Sequence, residues 1–400
     1  MNLTTIVLVG IGGYGLTYVN ALLDGGLSDV KIVGCIDPFP EKCPRLNDLT
    51  ALGVPIYARI EDFYQKHTAD LAVISTPIHL HAPQSIFCME HGSHVLCEKP
   101  MTATIQDAAA MIDARERTGK QAYIGYQACF QRIHHTLKRD LITGRYGKIL
   151  EACVLTLWPR SKAYYARSPW AGAQKMGEHW ALDSIAANAN AHIPNLLLFL
   201  MGSDMSSTAI PVSVTAELYR ANPIENFDTC TIHVETDTGA TLFYSGSHAS
   251  ETTYRTQSIQ CEGAKITMSQ TNGISFATLQ DGTKVEYISD EPPESYCQKL
   301  RDVIAAIRGK ETVYATLESA RSHVLMINGA YESANVITVP QELICEQPMG
   351  DSTQIYIQGI DDILKTCDRD MIFPSQTGAP WARQGKVINM RGYTHFPRRF

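Results

Sequence analysis

The chain has 400 residues, 44% hydrophobic and 19% charged, with 34 basic against 41 acidic side chains and a formal net charge of −7. At about 150 residues per domain this is two or three domains with a substantial core. The acidic balance excludes a large phosphate-backbone footprint, so no nucleic-acid partner is expected. No apolar run reaches the ~18 residues of a membrane span, the N-terminal stretch Ile6–Val9 lacks a basic lead-in, and the eleven cysteines form no Cys-x-x-Cys pair. A reducing cytoplasm is expected, with no membrane partner, disulfide framework or metal site.

Up to about residue 125, short β-branched runs alternate with helical stretches, the pattern of βαβ units around a parallel sheet. Strands are predicted at Thr5–Val9, Lys31–Ile36, Leu71–Ser75, His94–Cys97 and Gln121–Gly125. Helices are predicted near Thr17–Leu23, Glu41–Leu52, Pro83–His91 and Ile105–Thr118. From about Ala152 longer strands take over, at Val212–Tyr219, Thr229–Glu235, Ala240–Ser245 and Ser258–Glu262, with hairpin turns at Thr238-Gly239 and Asp281-Gly282. Helices follow near Glu294–Ile307 and Leu317–Ala334, and the tail after Pro340 is rich in turn residues. The expected division is 1–125, 126–340 and a C-terminal extension 341–400 of unassigned role.

Gly10-Ile11-Gly12-Gly13-Tyr14-Gly15 lies directly after a strand and before a helix, and Asp37 ends the next strand 22 residues beyond Gly15. Glycines permit the tight turn and the close approach of a pyrophosphate to a helix N-terminus, and the acid accepts hydrogen bonds from the adenosine ribose. The competing reading, a glycine turn that binds nothing, is disfavoured by this context. Asp37 would repel a 2′-phosphate, so NAD is expected over NADP, although Lys42 and Arg45 stand close in sequence. Ser75-Thr76-Pro77-Ile78-His79-Leu80-His81 and Glu98-Lys99-Pro100 each follow a strand at its carboxyl end, where ligands of open α/β sheets bind.

With these motifs the chain resembles the glucose-fructose oxidoreductase, inositol dehydrogenase and MocA family. The similarity also takes in Gly125-Tyr126-Gln127 and Gly147-Lys148-Ile149 and extends over roughly the first 335 residues. The resemblance implies an α/β protein: an N-terminal Rossmann domain with a doubly wound parallel sheet, then an α+β domain with a large, mostly antiparallel open sheet used for homodimers or homotetramers. It implies NAD held by Gly10, Gly12, Gly13, Tyr14, Gly15, Asp37, Ser75, Thr76, Pro77, His79, Glu98, Lys99 and Gln127, and a pocket between the domains where Lys99 reaches a substrate hydroxyl. A lysine desolvated there can take the hydroxyl proton or act as a fixed positive charge on the developing alkoxide.

The family's second motif, Asp-x-x-x-His followed three residues later by Asp, appears here as Asn188, His192 and Asn195 on a helix expected over about Asp183–Leu200, where Pro194 kinks or starts a helix. Helical spacing puts the three on one face. Both carboxylates are replaced by Asn, and Asp183 stands near enough to supply the missing charge. His192 is read as a proton-handling group, against the alternative of a hydrogen-bonded core histidine. The segment Trp158–Trp170 offers aromatic faces and guanidinium forks to a sugar through Arg160, Tyr164, Tyr165 and Trp170, with Tyr126 and Asn188 also expected at the substrate; the alternative is a loop tucked into the core. The expected reaction is oxidation of a secondary hydroxyl on a sugar, cyclitol or glycoside. A redox-neutral glycoside cleavage, with a second base among Tyr126, Tyr164, Tyr165 or His179, and a non-enzymatic dinucleotide-dependent regulator are the alternatives.

Overall fold

The computed structural model describes every residue except 1–2, 25, 28, 270–272, 290–295 and 399–400. It divides into two compact units. The first comprises Met1–Thr102, Gln106–Phe130 and Glu294–Ala320, and the second Ala103–Ile105, Gln131–Pro293 and Arg321–Phe400.

In the first unit the strands are β1 (Thr4–Val9), β2 (Val30–Ile36), β3 (Ile56–Tyr57), β4 (Leu71–Ile74), β5 (His94–Cys97) and β6 (Ala122–Ile124). All pair in parallel, in the order β3-β2-β1-β4-β5-β6. Ile6 to Val9 and Leu71 to Ile74 are buried throughout, as continuous apolar strands covered on both faces must be. Because β1 pairs with both β2 and β4, the chain order reverses at β1, and its carboxyl end opens at the crevice where such sheets take ligands. The helices are α1 (Gly15–Asp24), α2 (Leu46–Ala51), α3 (Ile60–Tyr64), α4 (His81–Glu90) and α5 (Ile105–Thr118).

The second unit begins with α6 (Arg132–Ile142) and β7 (Ile149–Leu157), then α7 (Lys162–Ala166), a short hairpin of β8 (Lys175–Met176) and β9 (His179–Trp180), and α8 (His192–Leu200). Strands β10 (Pro211–Arg220), β11 (Thr229–Thr236), β12 (Thr241–Ser247), β13 (Tyr254–Cys261), β14 (Ala264–Met268), β15 (Ile274–Leu279) and β16 (Lys284–Ile288) follow. The helix α9 (Tyr296–Ile307) returns to the first unit, where it packs on α1. Then come α10 (Leu317–Ser333), β17 (Val336–Thr338), a hairpin of β18 (Ile344–Met349) and β19 (Ser352–Ile357), α11 (Ile360–Asp370) and β20 (Ile388–Asn389). The main sheet runs β16-β15-β14-β13-β7-β12-β11-β10-β17, with β20 against β10. It is antiparallel except for the pairs β7 with β12 and β10 with β17.

One expectation about the second unit changes. The division at 340 does not hold, because residues 341–400 are integral to this unit. The sheet is open, its strand order running from β16 to β17 without closure, but both faces of its centre are covered. On one face Asn190 donates to Thr156 Oγ1 at 2.8 Å and to Tyr244 Oη at 3.2 Å. On the other, Leu155, Leu157 and Tyr219 share a core with Ile355, Ile357, Ile360, Leu364 and Ala382 of the C-terminal segment. Phe373 and Trp381 add edge-on contacts to Phe243 and Tyr219. Each such fully buried aliphatic side chain stabilises by roughly 1.5–3 kcal/mol. The chain's own tail thus occupies the centre of the face expected to serve subunit pairing. Farther out, Lys265, Lys284 and Glu286 are exposed on the same face, giving it a charged surface there.

Candidate functional site

In the first unit the glycine turn has the geometry of a phosphate cradle. Gly10 has φ +85° and a Cβ there would lie 2.8 Å from the Ser75 carbonyl oxygen; a Cβ on Gly15 would lie 2.1 Å from Gly10 O. These two are glycine because the loop, the next strand end and the helix start approach so closely. Gly12 is different: a Cβ on it would meet only Asp37 Oδ2, at 3.9 Å. No packing in the protein demands glycine there, whereas a ligand pressed against the backbone does. The residues therefore fit the pyrophosphate of NAD.

Asp37 Oδ2 accepts from the backbone N–H of Ile11 at 3.0 Å and of Gly12 at 3.3 Å, and Oδ1 from Phe39 N at 2.9 Å. It holds the glycine turn as well as standing where ribose hydroxyls would donate. Arg45 is engaged by Asp24, Asn20 and Asp48, and Lys42 lies 4.5 Å from the Phe39 ring centre. These cations thus have partners of their own. Tyr14 is exposed beside the turn.

Ser75, Thr76, Pro77 and His79 are half-buried at the end of β4, with Thr76 Oγ1 donating to Gln84 Oε1 at 2.6 Å. His81, at the start of α4, has its two ring nitrogens near two carbonyls, Pro100 O at 2.7 Å and Thr76 O at 2.8 Å, and so lies between the loop after β4 and the loop after β5. Burial holds its imidazole below its ordinary pKa, against the pull of those two carbonyls.

Glu98 is enclosed. Its carboxylate accepts from Tyr18 Oη at 2.6 Å, pairs with the buried Lys299 ammonium of α9, and accepts from the backbone N–H of Lys99 at 3.2 Å. Burial, with Glu98 adding to it, pushes the Tyr18 phenol well above its usual range. A Cβ on Gly125 would fall 2.5 Å from Glu98 Oε1, which is why glycine stands there. The Glu-Lys-Pro motif thus reads as a buried anchor, Glu98, that fixes the backbone of a half-buried Lys99 at the carboxyl end of β5. Tyr126, expected at the substrate, is fully enclosed, and burial raises its phenol well above the ordinary range. Gln127 opens a 3₁₀ turn and is half-buried.

In the second unit the helix expected over Asp183–Leu200 is broken. A single π-helical turn, Ile185–Ala189, capped by Ser184 Oγ, ends before α8, and Pro194 sits in the first turn of α8, where its missing N–H is tolerated. Asn188 and His192 are half-buried, whereas Asn195 is 1% exposed, so the three do not share one environment. Asp183 is buried and accepts from Asn188 Nδ2 at 2.7 Å and from Gly172 N at 2.7 Å. A buried carboxylate from the adjoining turn is thus bonded to Asn188. Leu182 just before it has φ +48°, unusual for a branched side chain; bonds from Leu182 N to Gln174 O and from Asp183 N to Ala173 O hold it there.

Strands β7 and β12 are parallel neighbours, Leu157 opposite Ser247, and deliver Trp158 and His248 side by side at their carboxyl ends. Arg160, Tyr164, Tyr165 and Trp170 follow, all half-buried. Burial raises the phenols of Tyr164 and, more, Tyr165, which disfavours a phenolate base at neutral pH. His179 is exposed on the β8–β9 hairpin. Lys299 and His248 escaped the sequence reading; neither lies in a local pattern, and Lys299 meets Glu98 only through the fold. Among the described residues no group of three or more His, Cys, Asp or Glu could hold a metal ion, and no helix is long and apolar enough to cross a membrane. A cavity of about 510 Å³ lined by Gly392, Tyr393, Thr394, His395 and Arg398 contains none of these residues.

Comparison with known proteins agrees with this architecture. Inositol 2-dehydrogenase of Rhodococcus jostii is 27% identical over 154 residues, 37% of this chain and 41% of that protein. The 1-carboxy-3-chloro-3,4-dihydroxycyclohexa-1,5-diene dehydrogenase of Comamonas testosteroni is 28% identical over 144 residues, 35% of this chain and 36% of that protein. These two matches therefore span well under half of each relative. Among solved structures, the WlbA dehydrogenase of Chromobacterium violaceum, in complex with NADH and UDP-GlcNAcA, has the same fold at a TM-score of 0.67, with 22% identity over 83% of this chain and 93% of that one. The oxidoreductase family pattern with an NAD-binding Rossmann fold matches residues 4–126, and that family's C-terminal alpha/beta domain matches residues 168–340. The first unit is an NAD-binding Rossmann domain, and the chain belongs to the Gfo/Idh/MocA oxidoreductase family.

Proposed function

We propose that the protein is an NAD-dependent dehydrogenase that oxidises a secondary hydroxyl of a sugar, cyclitol or related polyol. The observation that carries this reading is Lys99. Its backbone is tied to a buried carboxylate, the next residue's carbonyl lies beside His81, and it stands at the carboxyl end of a strand in an NAD-binding sheet. NAD supplies the hydride acceptor. Lys99 takes the hydroxyl proton or, as a cation, stabilises the alkoxide that forms as the hydride leaves. His192 is the second proton-handling group, and Asp183 orients Asn188 beside it in sequence. The named relatives, an inositol dehydrogenase and a dehydrogenase acting with UDP-GlcNAcA present, support a polyhydroxylated substrate.

Redox-neutral glycoside cleavage keeps a place because a Glycosyl hydrolase family 109 protein of Shewanella pealeana is 26% identical over 160 residues, 38% of this chain. One experiment separates the two: incubation with stoichiometric NAD and a panel of sugars, cyclitols and glycosides, following NADH absorbance and products together. Steady NADH with a ketone product supports the dehydrogenase. Glycoside cleavage with no net NADH and solvent deuterium at C2 overturns it.

A further inference from the structure

At the carboxyl ends of β7 and β12, three guanidiniums alternate with three aromatic rings. Arg255 Cζ lies 4.1 Å from the Trp158 ring, Arg160 Cζ 3.6 Å from the same ring and 4.5 Å from Tyr164, and Arg167 Cζ 3.7 Å from Tyr164 and 4.9 Å from Trp170. Stacking uses the faces of a guanidinium and leaves its N–H edge to donate in the plane. Among the described residues neither Arg160 nor Arg167 has a carboxylate within ion-pair distance, whereas Arg45, Arg115, Arg145 and Arg308 all do. Arg160 Nε is buried without a hydrogen-bond partner, and Tyr165 Oη, Ser168 Oγ and His248 Nε2 are in the same condition. Buried polar atoms are rarely left so, and each costs free energy until a partner arrives.

His248 defines the site further. It is 2% exposed, and its Nδ1–H donates to Trp158 O at 2.8 Å, so Nε2 carries a lone pair. Burial, together with Arg160 and the other guanidiniums, brings its pKa down to about 3, so the ring is a neutral acceptor. The carboxylates near Tyr165 pair with neither Arg160 nor Arg167; Asp183 accepts from Gly172 and Asn188, and Asp228 from Ala221, Asn222 and Thr229. The site therefore combines unpaired positive charge, two hydroxyl donors and one acceptor.

We propose that Arg160, Arg167, Tyr165, Ser168 and His248 form a subsite for an anionic group, a carboxylate or a phosphate, carried by a polyhydroxylated substrate. The guanidinium edges and the two hydroxyls donate to the anion's oxygens, and His248 Nε2 accepts from a neighbouring substrate hydroxyl. The substrate's polyol nature rests on the function proposed above; the anion preference rests on the side chains alone. The test measures equilibrium binding of D-glucose, D-glucuronate and D-glucose 6-phosphate to the full-length NAD-loaded protein and to the Arg160→Met and Arg167→Gln variants. Arg167 is exposed, so its variant should stay folded if Arg160→Met does not. At least one anion is expected to bind about tenfold or more tighter than glucose, with that advantage lost in Arg167→Gln. Tighter binding of glucuronate marks a carboxylate and of glucose 6-phosphate a phosphate. Equal affinity for all three sugars, no detectable binding of either anion, or an advantage that survives in the folded variants overturns the proposal. Because no turnover is read, an anion advantage without NADH formation on any substrate would remove the dehydrogenase reading and leave this subsite standing.

Discussion

Lys299 in the first unit and Arg160 in the second hold positive charge in opposite ways. In the first, the ammonium of Lys299 is closed against Glu98 and Tyr18, and each partner is satisfied within the protein. In the second, Arg160 is held by the faces of Trp158 and Tyr164, with no carboxylate to meet its edge. The first arrangement is complete without a ligand and positions its neighbour, Lys99. The second is incomplete without one. Charge that is paired internally serves architecture, and charge that is stacked but unpaired serves recognition.

The largest effect should come from breaking the closed pair. Lys299→Met leaves the Glu98 carboxylate buried and uncompensated and is expected to destabilise by about 3–5 kcal/mol in urea unfolding. Adding Glu98→Gln should recover most of that loss; no recovery would mean that the pair is not the reason for the cost. The stacked cluster should instead show itself in acid. His248 has a folded pKa of about 3 against an ordinary 6.5, so between those values the unfolded state binds more protons. Its contribution is fully present above about pH 6.5 and is lost as pH falls toward about 3, with a slope approaching 1.4 kcal/mol per pH unit per proton. His81 and His233 are lowered in the same direction and share the effect. The unfolding free energy of His248→Asn should therefore fall less steeply on acidification than that of the native chain, and an unchanged slope would place the acid sensitivity elsewhere. A smaller effect belongs to Asp37, which is paired only with backbone. Asp37→Ala should weaken NAD by about tenfold and narrow its margin over NADP, as read by titration with both. Equal affinity of the native protein for the two cofactors would remove the ribose role.

Much of the first unit was legible because parallel strands leave long apolar runs and the glycine turn needs a rare backbone: β5 came out at His94–Cys97 and α5 at Ile105–Thr118, as expected. The motif residues were also legible, but not their division of labour. Nothing local in Glu98-Lys99-Pro100 says that the glutamate is buried, since its partner Lys299 arrives from 201 residues away. The continuous helix over 183–200 was misjudged because a π-helical turn ends at Ala189 before α8 begins at His192, although Pro194 in the first turn of α8 agrees with a helix starting there. The C-terminal segment was opaque for a related reason. Its apolar residues, such as Ile355, Ile360 and Leu364, are explained only by the sheet face they cover.

The proposed dehydrogenase needs Lys99 to act on the hydroxyl proton and not on the cofactor. The most direct test is Lys99→Met, with NAD affinity by titration and single-turnover NADH formation on the best polyol substrate measured on the same preparation. NAD binding within a few-fold of the native protein and a rate lower by a factor on the order of 100 or more are predicted. A native rate in the variant would contradict the assignment.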